Sequence, residues 1–260
     1  MKNVGFSHAR RAAQLPAQPA ILALAVVALL ALILASCPAR ADQLADFNAA
    51  VEGASAHNRV ALGYLRTGNN DLASIEIDRA RTAWRGFVGG FAGKRPAAFK
   101  DAKRYTTVLT DVAARLVSAD MMLNIGRPDI AAQSLMAIRV ELADLRQSAG
   151  IEVLADCILR ANGAMDALQK YSKGTLDLDK APVRNALSDS AKRYGSLLDH
   201  CDSLAGKDVH AQPEFRRLID GAKASLALIP VAITEKDSGR VRRILSELRS
   251  FDNLLAFRFG

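Results

Sequence analysis

A repeated cadence of apolar residues constrains this chain more than any other feature. After Gly68-Asn69-Asn70-Asp71-Leu72-Ala73, the positions Ala73, Ile77, Ala80, Trp84, Phe87 and Phe91 step by 4, 3, 4, 3 and 4. Fifty-eight residues later, Gly126-Arg127-Pro128-Asp129-Ile130-Ala131 opens the same rhythm through Leu135, Ile138, Leu142, Leu145 and Ala149. A strand buries alternate residues, so this spacing suits a helix with one apolar stripe. Arg81 and Arg139 hold matching places outside the stripes. The glycine of each G-x-x-D-[LI]-A run is expected to end the incoming helix in the left-handed conformation, and the aspartate to cap the next. The shared phase implies duplication of a helical hairpin. A weaker third copy starts at Thr234-Glu235-Lys236-Asp237 and continues through Val241, Ile244, Leu248, Phe251 and Leu255. Pro230, just before it, predicts a kink.

The same reading over the whole chain gives an all-α fold of eight helices, near 44–66, 71–92, 97–124, 129–148, 151–172, 183–205, 213–235 and 238–257. Short connections make antiparallel neighbours. Two four-helix bundles, 42–150 and 151–260, meeting around Gly150 are the first architecture, and one continuous stack of hairpins is the second. In the hairpin either side of the turn 173–182, Cys157 and Cys201 lie on the two core-facing stripes. Their midpoint, residue 179, falls inside that turn. Symmetry about it brings the two sulfurs side by side and predicts a Cys157–Cys201 disulfide.

The third cysteine belongs to a different segment. Residues 1–19 carry Lys2, Arg10 and Arg11 and no acid, and Ala20–Ala35 is then apolar without a break. Such a layout is that of a bacterial export signal, and its apolar run is shorter than the roughly 20 residues of a spanning helix. Ala39-Arg40-Ala41 is an A-x-A cleavage site that would release a periplasmic chain starting at Asp42. Leu34-Ala35-Ser36-Cys37 resembles a bacterial lipobox, which implies lipidation of Cys37 and membrane anchoring as a lipoprotein. Pro38 stiffens the backbone where the peptidase of that route must bind. Both readings stay open. Either way an oxidising compartment suits a cystine.

Around the first hairpin, Tyr64, Gly68, Ala73, Ile77 and Ala80 stand at the spacing of the tyrosine, glycine, alanine, aromatic and second alanine of a tetratricopeptide repeat, which residues 57–85 resemble. The second copy keeps Gly126 and Ala131, with Met122 and Ile138 in the places of the tyrosine and the second alanine, and the period is 58 rather than 34. What the resemblance implies is a protein-binding helical scaffold.

Residues with catalytic potential are scattered. No G-x-S-x-G, P-loop, C-x-x-C-H or paired-histidine helix motif occurs. His57, Met121 and Met122 are the candidates for holding a metal or haem between helices, although methionines at helical spacing are mostly core filler. His200 and His210 read as exposed histidines at helix ends. The glycines of RGFVGGFAGKRP (85–96) read as helix termination and a flexible connector. Formal charge is +8, and loss of residues 1–41, with four basic groups, lowers it to about +4. That is too little for a nucleic-acid binder but suits an anionic membrane surface or an acidic envelope protein. Arg240, Arg242, Arg243, Arg249 and Arg258 are the candidates for that contact. The expectation is an exported bacterial envelope scaffold without catalysis or a resident cofactor, working through protein or surface contacts. The alternative is a periplasmic bundle binding a small molecule, metal or haem.

Overall fold

The computed structural model describes residues 43–260, so the segment expected to direct export, with Cys37, lies outside the described residues. No strand occurs among them, and the fold is all-α. Helix α1 runs over 43–66, followed by α2 (Asn70–Phe91), α3 (Ala102–Asn124), α4 (Pro128–Ser148) and α5 (Leu154–Gln169), which ends in a 3-10 turn at Lys170–Ser172. Then come α6 (Ala181–Leu204), the one-turn α7 (Lys207–His210), α8 (Pro213–Leu226), α9 (Ile229–Thr234) and α10 (Ser238–Phe259). Residues Phe47–Gly260 form one compact unit.

The repeated turns form as their glycines require. Gly68 and Gly126 have φ of +78° and +74°. In each turn the amide after the glycine reaches back five residues, Asn69 N–H to Tyr64 O and Arg127 N–H to Met122 O. The third copy makes the same turn with Lys236 (φ +51°), and Asp237 N–H bonds Ala232 O. Ala73, Ala131 and Val241 therefore occupy one equivalent position, five residues past the turn, and all three are fully buried.

Several boundaries differ from the sequence expectation. Asp71 and Asp129 are not caps. The tight turn puts Asn69 and Arg127 at the cap, leaving each aspartate inside the first turn, where negative charge suits the helix dipole. Asp129 is held below the usual carboxylate range chiefly by its hydrogen bond from Arg127. Helix α3 starts at Ala102 rather than near 97, because the Asp101 carboxylate accepts from Arg104 N–H and 92–101 forms a connection. Gly86, Gly89 and Gly90 lie within α2, which ends beyond them. Pro230 does more than kink its helix, since α8 stops at Leu226 and α9 restarts at Ile229.

Core packing follows the stripes. Phe47 of α1 sits edge-on to Phe87 and Phe91 and against Phe99 and Tyr105, and the Trp84 indole N–H is satisfied by Leu109 O at 3.1 Å. Cys157 and Cys201, both fully buried, are joined in a disulfide between α5 and α6, with Cα atoms 5.4 Å apart. Helix α10 packs against both α5 and α8. Its apolar end is docked, with Leu255 buried and Phe259 edge-on to Phe215.

Candidate functional site

Three arginines hold the same place, eight residues past the common buried position. They are Arg81 in α2, Arg139 in α4 and Arg249 in α10. Arg81 is neutralised by Asp120 of α3 at 3.0 Å. Arg249 is neutralised by Asp166 of α5 at 2.7 Å and Asp252 at 3.2 Å. Arg139 has no carboxylate within ion-pair distance among the described residues. Its side-chain hydrogen bonds among the described residues go to Asn162 Oδ1 at 3.5 Å and Met136 Sδ at 3.8 Å, and it packs against Gly260.

Arg139 lines a cleft of about 380 Å³ walled by α1, α4, α5 and α10. A second arginine in that wall is more confined. Arg59, on α1, is 6% exposed. Its Nη2 donates to Glu52 at 2.5 Å, but Nε and Nη1 are buried with no partner among the described residues. Burial, and then repulsion from the charge of Arg59, pull the Arg139 guanidinium down to about 10. Arg139 therefore remains charged at neutral pH.

The cleft is also lined by Asp252, 2% exposed at the core position where the earlier copies have Trp84 and Leu142. Asn162 Nδ2 and Tyr194 Oη donate to its Oδ1 at 3.0 and 3.4 Å, and Arg249 donates to its Oδ2 at 3.2 Å. Burial raises the Asp252 carboxyl above its usual value, with Asn162 and Arg249 pulling the other way. Burial also raises the Tyr194 phenol, helped by the adjacent Asp252 charge. Leu62, Leu65, Ala132, Met136, Ala256 and Phe257 give the cleft its apolar lining, with Arg66, Asp129, Asp166 and Asn253 also among its walls. Gly63 lets Phe257 lie on the α1 backbone, since a Cβ there would fall 2.6 Å from the ring.

The residues singled out from the sequence fall elsewhere, with one exception. His57 faces α2, its Nδ1 2.6 Å from Glu76 Oε2, while Met121 is on the outer surface of α3 at 56% exposure and Met122 is partly buried. No metal-ligand group forms around them among the described residues. Glu152, Cys157 and His200 do converge, but the Cys157 sulfur is bound in the disulfide, which leaves Glu152 and His200 as an ion pair at 2.9 Å. His210 sits 3.4 Å from Asp202. Of the basic residues on α10, Arg240 pairs with Glu235, Arg243 with Asp237 and Arg258 with Glu214, while Arg242 donates to Gly174 O. Only Arg249 belongs to the cleft. The sequence reading placed Arg139 in its repeat but gave it no role, and it missed Arg59 and Asp252. A charged residue on the apolar stripe was the available signal for Asp252.

No family model, no curated protein and no solved structure matches this chain.

Proposed function

We propose that this chain is an exported helical scaffold of the bacterial cell envelope that works by binding, and that the cleft between α1, α4, α5 and α10 is its recognition site. One observation carries the reading. Of the four arginines lining the cleft, the deeply buried Arg59 keeps two donors unmatched and Arg139 has no carboxylate partner among the described residues, although the same fold neutralises the equivalent Arg81 and Arg249. A buried donor without a partner costs about 1–3 kcal/mol, and more when charged, so such a site is maintained where a ligand completes it. The cleft walls present no serine, threonine, cysteine, histidine or lysine, which favours binding over covalent catalysis. Export is supported by the basic, then apolar, then small-residue N-terminus and by a cystine suited to an oxidising compartment. No helix of the described residues is long and apolar enough to cross a membrane. Contact with an envelope protein would fall to the exposed row Val117 and Met121 on α3 and Ile125 just past its end.

Native mass spectrometry of protein purified from its own host tests the binding role. The expected spectrum carries a non-covalent adduct that disappears when Ala132→Trp fills the cleft while helical circular dichroism is kept. A bare chain in both spectra, or an adduct that survives the tryptophan, would refute it.

A further inference from the structure

The geometry points to a small organic carboxylate as the ligand of this cleft, its carboxylate held between Arg139 and Arg59 and its aliphatic body against Leu62, Leu65, Met136 and Phe257. This inference rests on the reading of the cleft as a binding site and adds the chemistry of the occupant.

Hydrogen-bonding capacity decides the sign of the ligand's charge. The acceptors in the cleft are already engaged. Asp252 receives three bonds, on both oxygens, and Asp166 receives Arg249. Asp129 is tied to Arg127. The unused groups are donors, namely Nε and Nη1 of Arg59 and the weakly held fork of Arg139. A cationic ligand would meet repulsion from Arg59 and Arg139, and the carboxylates of the cleft already carry bonds from other side chains. An acceptor with negative charge completes the donors and cancels the repulsion that depresses Arg139. The planar guanidinium of Arg139 suits a carboxylate, which can accept two parallel bonds.

Shape decides the rest of the molecule. An inorganic anion would match the arginines and leave the apolar walls bare. The volume of about 380 Å³ lies in the range of small-ligand sites, roughly 300–1,000 Å³. Burial of an aliphatic chain there supplies the affinity that surface charge alone lacks.

Isothermal titration of the purified chain with four probes tests this. Octanoate has both parts, octan-1-ol the body alone, acetate the charge alone, and octylammonium the body with opposite charge. The expected result is octanoate binding about tenfold or more tighter than each of the others. Arg139→Gln should weaken octanoate by about tenfold or more and leave octan-1-ol unchanged. Met136→Glu, which places a carboxylate beside the Arg139 fork and so occupies it, should do the same while both arginines are kept. Octylammonium or octan-1-ol binding as tightly as octanoate would overturn the carboxylate assignment while keeping the cleft as a binding site. So would failure of all four probes beside a native adduct sensitive to Ala132→Trp. Failure of the probes with no such adduct overturns both readings. Octanoate affinity unaltered in both variants would place the acid elsewhere and defeat the inference.

Discussion

Asp156→Ala is expected to lower the unfolding free energy by about 3–5 kcal/mol, the usual consequence of stranding a buried charge. Arg146, in the last turn of α4, and Asp156, in the first turn of α5, are 5% and 7% exposed. Arg146 Nε donates to Oδ2 at 2.7 Å and Nη2 to Oδ1 at 2.5 Å, while Val153 N–H donates to Oδ2 at 3.3 Å. This fork spans the turn at Gly150 and sets how α4 hands over to α5, the helices that bring Arg139 and Asn162 to the cleft. Arg146→Met should cost a similar amount by leaving Asp156 unpaired next to the chain reversal. The double variant Arg146→Met, Asp156→Leu should be less damaging than either single change, because no charge is then left buried alone. Guanidinium unfolding of the four proteins measures the cycle. Single variants within about 1 kcal/mol of the parent would show that the pair behaves like a surface salt bridge.

Loss of the disulfide has a comparable effect by a different route. The Cys157–Cys201 bridge closes a loop across 44 positions of sequence, which in the chain-entropy model restrains the unfolded state by about 4 kcal/mol. Cys157→Ala, Cys201→Ala is expected to lower the melting temperature by about 8–16 °C, given roughly 2–4 °C per kcal/mol for a chain of this size. Both sulfurs are held in the bridge, so neither should take up an alkylating label when the parent is unfolded without reductant. Two labels on the parent, or a double variant melting within about 2 °C of it, would remove the cystine from the stability account.

What the sequence revealed and what it hid follow from range. The stripes from Ala73 and Ala131 were legible because helix period and burial are local. The turns at Gly68 and Gly126 were legible because left-handed backbone favours glycine. The cystine was legible because symmetry about one turn relates positions on a single hairpin. The aspartates of the repeated motif were misread because two residues separate the cap from their place in the first turn. The hydrogen bonds of each glycine turn set that shift, and Asp101 likewise moves the start of α3 to Ala102 by capping it. The cleft was least legible, since Arg59, Arg139, Asn162 and Asp252 come from four helices spread over nearly 200 residues. Arg139 looked equivalent to Arg81. What separates them is Asp120 on α3, which has no counterpart beside Arg139, and such an omission shows only in three dimensions.

The claim that the unmatched guanidiniums mark a ligand site is tested most directly by a crystal structure of the protein taken from its own host. The account predicts continuous density of a small molecule bridging Arg59 and Arg139 and running toward Phe257. Ordered water alone around both arginines, in a cleft otherwise vacant, would contradict it.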